Sequence, residues 1–525
     1  MTTGPGAAGA AVPNVVMIVS NDVTIDSRVK KEALTVARMG CRVTVVGWAT
    51  DGATTTAAMG DVTILRVPIP TRIKAARTEQ RKRAAVPAAP VVGWRSDQDR
   101  TAAALRLKFR RAELATDALR RPRPAAPALA VRKARLKASG LVVRLRTSAD
   151  RRATAWRAKR DERRGHREWG IRWRRELPEQ LDRELALGPV LDALEFDVLH
   201  AHDVDMLGVA SRAVARARAR GREVRFVYDA HEFVAGLSQS GSRTKRVIAA
   251  WADHEKEFVA EADRMVTVSP TMADALVERY RLPHRPAVVI NTPVVDGSQQ
   301  APSLRERAGI GSDVRLVVYA GVLTTARGLH TAIDSLAHLP EDVHLAVVCV
   351  PNNSTWFVRQ LKAGTERDGI GHRVHFVNPV HPGQVVDYLR EADIGCFPGL
   401  RFRSHEVTLP NKLFEYLYAG LPLVVSDLTA QAALVRENGV GEVFAVENPA
   451  DMARAVSAVL DDLDTYRKAV HDPAFRERYS WARQEESLRA LYQELLGREL
   501  PWAHPEDDAA GSLTEGERVP APPLG

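Results

Sequence analysis

The chain is short of the features that would place it in several common classes. It has only three cysteines, Cys41, Cys349 and Cys396, scattered and odd in number. Neither a disulfide framework nor a cysteine-built metal cage is expected, and a reducing compartment fits. No apolar run reaches the roughly 18 residues that a bilayer-spanning helix needs, so any membrane contact is expected at the surface. The segment Met1–Ala11 is small-residue and uncharged, without the basic start of a secretory signal. After the first apolar stretch, Val15–Val19, there is no G-x-G-x-x-G. That removes the dinucleotide fingerprint and argues against a dehydrogenase.

What is present is a long, chargeable chain of two characters. At 525 residues, 45% apolar and 27% charged, it is too long for one core and predicts two domains with appendages. The formal charge of +10 is uneven, because residues 71–180 hold 32 Lys and Arg against 11 Asp and Glu. The remainder is net acidic, so the basicity belongs to an insert, rich in Ala, Arg and Pro, whose segment Ala130–Arg164 reads as broken helix. An anionic membrane surface or an acidic polymer is the partner this charge suits. Nucleic acid ranks well behind, since no recognition motif accompanies it.

The flanking segments alternate strand and helix. Val15–Val19 leads into a polar loop, a helix follows from Arg28 to Met39, and a second strand runs from Arg42 to Gly47, a unit that predicts a parallel, doubly wound sheet. In such sheets ligands gather beyond the carboxyl ends of the strands, which makes Asn21, Asp22, Asp26 and Arg28 cleft candidates. The strand from Phe196 ends in His200, His202 and Asp203. The two histidines share a face and invite a metal reading, but the pattern is short and the expected role is to place His202 and Asp203 at the cleft, with no metal assigned. A strand from Val224 to Tyr228 ends in Asp229, His231 and Glu232, another position where α/β enzymes carry functional groups. A second set of strands is expected at Val314–Ala320, His344–Val350, Val374–Val377 and Ala392–Phe397. The glycine of the loop after the first of these, Gly321, lets backbone approach an anion, and Arg327 offers a fork of donors suited to a diphosphate.

The densest motif is Thr408–Gly420, followed by the apolar run Leu421–Ser426. Thr408 is expected to cap a short helix, Pro410 to fill its first turn and Gly420 to close it. Asn411, Lys412 and Glu415 share the face near the helix start, where an anion is favoured; Lys412 then supplies a counter-charge and Glu415 an acceptor for a pair of sugar hydroxyls.

Pro410-Asn411-Lys412-Leu413-Phe414-Glu415-Tyr416 with Ala419-Gly420-Leu421-Pro422 resembles the donor signature of the family-4 glycosyltransferases, retaining enzymes of GT-B fold. The resemblance implies that Glu415 binds the ribose of a nucleotide sugar, that Arg327 takes the place of the loop lysine, that Asn378 lies where the chain passes the base, and that His231, with Glu232 second, is the catalytic-site residue. Most members carry an acid at the position of Val407, and Glu406 is the nearest substitute. The implied architecture is two Rossmann-like doubly wound domains facing a cleft, with a basic, largely helical insert in the first. Residues 14–70 and 181–293 form the acceptor domain, 71–180 the insert, 294–312 a linker, 313–475 the nucleotide-sugar domain and 476–500 helices crossing back, between a flexible start (1–13) and a disordered tail (501–525). The expected reaction is sugar transfer from a nucleotide-diphosphate sugar, as co-substrate, to a glycan, lipid-linked or small-molecule acceptor. No bound cofactor or metal is expected, and the location is cytoplasmic or at the inner membrane face. Two alternatives stay open: a nucleotide-sugar epimerase on the same architecture, and a catalytically silent homologue that binds nucleotide sugar or scaffolds polysaccharide assembly.

Overall fold

A computed structural model describes residues 11–50, 52–85, 94, 97–120, 126–165, 173–239, 243–294, 301–502 and 513–515. Most of the expected flexible start, most of the tail and residues 295–300 of the linker lie outside the described residues, while the linker's Leu304–Ala308 forms a short helix.

The chain forms two parallel sheets. The first is built from β1 (Asn14–Ile18), β2 (Arg42–Trp48), β3 (Thr55–Met59), β4 (Val62–Val67), β5 (Val198–His202), β6 (Arg225–Ala230), β7 (Arg264–Thr267) and β8 (Ala287–Val288). The second comprises β9 (Arg315–Val322), β10 (Val343–Val350), β11 (Val374–Val377), β12 (Ile394–Phe397), β13 (Leu423–Ser426) and β14 (Gly441–Phe444). A last short strand, β15 (Leu513–Glu515), joins the edge of the first sheet antiparallel to β3. The first sheet runs β15-β3-β4-β2-β1-β5-β6-β7-β8 and the second β11-β10-β9-β12-β13-β14. Apart from the β15-β3-β4 edge, all pairings are parallel. The hairpin β3–β4, which the sequence analysis leaves without an element, turns at Gly60 with φ of +54°.

These orders place the sites. In each sheet the winding reverses direction between the first strand and the next inserted beside it, β1 and β5 in one, β9 and β12 in the other, and the loops leaving those strands diverge to open a crevice. The strands are near-continuous apolar runs, as expected where helices cover both faces. The helix Trp481–Leu496 packs into the first core, where Trp481, Leu488, Leu491, Tyr492 and Leu495 join β1 and β2 side chains.

Thr71–Ile171 forms a separate compact unit. It contains the helices Arg72–Ala85, Asp97–Arg120 and Ala126–Gly165, the last two packed on each other. The expected break in the long helix is absent: it runs uninterrupted for 40 residues, because after Pro127 it contains no proline and is dominated by Ala, Leu, Arg and Lys. The insert also closes earlier than expected. Trp173 is 1% exposed and edge-on to His254, with its indole N–H donating to Glu257 at 2.7 Å, so it belongs to the body.

Candidate functional site

The first half of the site is assembled around Asp229, at the carboxyl end of β6. Its carboxylate is fully buried and accepts a two-pronged bond from Arg28, Nε and Nη2 each at 2.8 Å, along with bonds from His202 Nδ1 at 3.1 Å and His231 Nε2 at 2.7 Å. Burial alone would raise this carboxyl. Arg28 and His231 override it and hold the group well below the usual carboxylate range. The other nitrogen of His231, Nδ1, lies 3.2 Å from Asp203 Oδ1. Burial alone would lower the imidazole, but Asp203 and Asp229 outweigh it and keep the ring protonated well above its ordinary value. Both ring nitrogens of His231 are thus engaged by carboxylates, which favours its charged form. Asp203 opens the helix Asp203–Ala219 at a left-handed φ of 64°, which aspartate tolerates better than most residues.

The remaining candidates of this half are mainly structural. Asp26 caps the helix Ser27–Arg38 by accepting from Val29 N, and Asn21 braces it with a 2.7 Å bond to Asp26 Oδ2. Asp22 closes its own loop by accepting from Thr24 N. Arg28 and His202 are buried beneath the cleft, not exposed in it, since both serve Asp229. Glu232 is open, with a side chain 60% exposed.

The second half is built on β9, β12 and the helix Asn411–Tyr418. This helix differs from expectation at its start. Pro410 occupies the cap position without a side-chain bond, and Thr408 is diverted to the carbonyl of Ser404 at 2.7 Å. Glu406 is engaged within its own half: its carboxylate accepts from the Thr429 amide (2.8 Å) and hydroxyl (2.6 Å) and pairs with Arg401. Val407 is buried, and its carbonyl accepts from Ser269 of the first half. Asn378 accepts from the Asn353 amide at 3.0 Å, so its carbonyl oxygen stitches two loops together. Asn411 is exposed at the helix start.

Lys412 and Arg327 converge on one ring. Lys412 Nζ lies 5.3 Å and the Arg327 guanidinium 5.8 Å from the centre of Phe397, at the end of β12. Lys412 also donates to the Tyr319 hydroxyl at 3.0 Å. Burial, followed by the neighbouring Arg327, lowers its ammonium to about 7. Gly321, at φ of +136°, makes room for it: a Cβ there would run into Lys412 Nζ. Arg327 and Lys412 act on one another as like charges, and Glu415 is the carboxylate that acts on Lys412 in the opposite sense. Glu415, raised by burial and partly restored by Lys412 and Lys31, sits a turn further along.

Sequence reasoning missed Lys31. It projects from the first half, donates to Asn291 Oδ1 at 2.7 Å and to the Thr292 carbonyl, and stacks 4.4 Å over Trp481. Burial lowers it to about 7, and Glu415 acts on it from the second half. Glu232 and Arg327 interact likewise, so the two groups of residues face one another. Asp229 stands at the strand end noted in the sequence but receives no role there, although it lies two residues before His231, on the same side of the chain.

Two family models match, "Glycosyltransferase Family 4" over residues 133–296 and "Glycosyl transferases group 1" over 314–462, together more than half of the chain. Among curated proteins, a D-inositol 3-phosphate glycosyltransferase of Xylanimonas cellulosilytica is 27% identical over 256 residues, 46% of this chain and 60% of that protein. The matched stretch thus spans about three fifths of that relative's length. Among solved structures, sucrose-phosphate synthase of Thermosynechococcus elongatus superposes with a TM-score of 0.59 at 13% identity, over 92% of this chain and 99% of that one. HepE of Anabaena in complex with UDP-glucose gives 0.52 at 13%, over 92% and 100%. At these identities the structures establish a shared fold.

Proposed function

The chain belongs to the family-4 glycosyltransferases of GT-B fold, and from that premise we propose that it transfers a sugar from a nucleotide-diphosphate donor, with retention of configuration. The carrying observation is that Arg327 and Lys412 both gather beside Phe397 at the carboxyl end of β12. A diphosphate leaving group suits these two cations, with the helix start at Asn411 adding donors. In this reading Glu415 accepts from the ribose hydroxyls. His231, as a fixed cation between Asp203 and Asp229, adds positive field where the sugar–phosphate bond breaks. These protein cations take the role that a divalent ion plays elsewhere. A UDP-sugar is the first donor to try, since the structural neighbour HepE is described with UDP-glucose.

The test is calorimetric titration with UDP-glucose, GDP-mannose and ADP-glucose, followed by a transfer assay with candidate acceptors. No binding of any nucleotide diphosphate would end this reading. A second reading has its own support: Val407 is buried where most members carry an acid, and Glu406 is committed to Thr429. A silent nucleotide-sugar binder would show binding without turnover.

The insert supports a membrane-facing role. The helices Asp97–Arg120 and Ala126–Gly165 expose Phe109 (70%), Trp156 (63%), Leu105 and Leu145 amid lysines and arginines. This combination suits an anionic bilayer surface. No described helix is long and apolar enough to cross a membrane. Phe109→Ser with Trp156→Ser should reduce sedimentation with phosphatidylglycerol vesicles, and equal pelleting would refute the role.

A further inference from the structure

The backbone passes between the two halves twice, and at each passage neighbouring residues fall in different cores. Val289 is buried with the side chains of the first sheet and Ile290 with those of the second; on the return, Tyr479 packs against the second core and Trp481 lies in the first. Both passages meet the helix Ser27–Arg38. Lys31 donates to Asn291 Oδ1 at 2.7 Å and to the Thr292 carbonyl, just past the outward passage, and its ammonium lies 4.4 Å from the centre of the Trp481 ring, just past the return. The passages are also tied to each other, since the Ile290 amide donates to Gln484 Oε1 at 2.9 Å. One turn before Lys31, on the same helix face, Arg28 donates from Nη1 to the Val289 carbonyl at 2.6 Å while Nε and Nη2 hold Asp229. One helix therefore touches the junction of the halves and, through Asp229, His231.

A lysine in such a place is costly, because its ammonium gives up water and its long stem gives up rotamer freedom. What it offers in return is a tip with three N–H donors, able to hold separate segments of chain at once. We propose that Lys31 is a positioning residue that pins both passages and so fixes how far apart the two halves stand. From the second half, the Glu415 carboxylate favours the charged form of the same ammonium. The consequence for catalysis rests on the donor reading above: a sugar diphosphate held by Arg327 and Lys412 meets His231 at the separation that Lys31 sets, and a misplacement of about 1 Å costs about a hundredfold in rate. The pin itself does not depend on that reading.

The test reads the separation directly. Spin labels on Glu223→Cys, in the first half, and Asp368→Cys, in the second, both exposed positions, report it in the full chain by double electron–electron resonance; the three native cysteines are buried. The otherwise unaltered chain should give one narrow distance distribution. Lys31→Met should broaden it or add a longer distance, and Lys31→Arg, which keeps a cationic donor, should restore it. In the same proteins UDP affinity by calorimetry should stay close to that of the unaltered chain, whereas turnover of UDP-glucose should fall at least about tenfold in Lys31→Met and recover in Lys31→Arg. If Lys31→Met does not fold, Asn291→Ala, which removes one acceptor, is read in its place. A broad distribution in the unaltered chain, or an unchanged one in folded Lys31→Met or Asn291→Ala, would overturn the pin. Absence of UDP binding in the unaltered chain would remove the donor reading instead and leave the distances to decide.

Discussion

If Lys412 meets a diphosphate, donor binding should take up a proton. In the free protein its ammonium stands at about 7, held down by burial and by Arg327. An added dianion stabilises the charged form and raises that value, so affinity is greatest below pH 7 and falls as pH rises through it. Each pH unit above 7 then weakens binding about tenfold, or about 1.4 kcal/mol, until the bound-state value is reached. Between pH 6 and pH 9 the loss is about a hundredfold. Titration calorimetry with UDP at pH 8, repeated in buffers of different ionisation enthalpy, should report uptake approaching one proton. Lys412→Met should remove both the uptake and the slope. Lys31 also stands at about 7, but it bonds to Asn291 and Thr292, so Lys31→Met should retain most of the effect. Proton uptake unchanged in Lys412→Met, or affinity flat from pH 6 to 9, would refute the reasoning.

Three further outcomes follow from the same geometry. Gly321→Ala should weaken UDP binding by at least about tenfold, since the new Cβ collides with Lys412 Nζ and φ of +136° is strained for alanine; wild-type affinity in calorimetry would contradict the placement. His231→Ala should lower the transfer rate by about a hundredfold or more while changing the donor dissociation constant only a few-fold, and equal turnover would favour the silent reading. Asp229→Ala leaves the Arg28 guanidinium buried beside a vacated position and should destabilise by about 3–5 kcal/mol in urea unfolding; a change below about 1 kcal/mol would show the hub to be dispensable.

The doubly wound halves could be read from the chain because apolar runs such as Val15–Val19 and Val314–Ala320 alternate with helical periodicity, and that local pattern largely dictates a parallel sheet. The cations of the second half were visible for a related reason: Arg327 and Lys412 sit beside glycines and a helix start, where short-range rules apply. The partners of those residues were not visible. Nothing near Glu406 in sequence indicates that Thr429 will claim its carboxylate, and nothing near Arg28 indicates Asp229, 201 positions away. Pairings of that separation are fixed by which strands become neighbours. Lys31 was hidden because lysine on an amphipathic helix ordinarily faces water, and only the packing of Trp481 and Glu415 near it changes that expectation.

The helix Trp481–Leu496 has a consequence for biosynthesis. It fills the core around β1 and β2, and Tyr492 anchors His200, yet it is made only after the whole second sheet. A nascent chain that has emerged as far as β8 therefore exposes an apolar trough where Leu488 and Leu491 belong. The second sheet, continuous in sequence from β9 to β14, can mature first on the ribosome. The first stays incomplete until its final helix arrives to seal it.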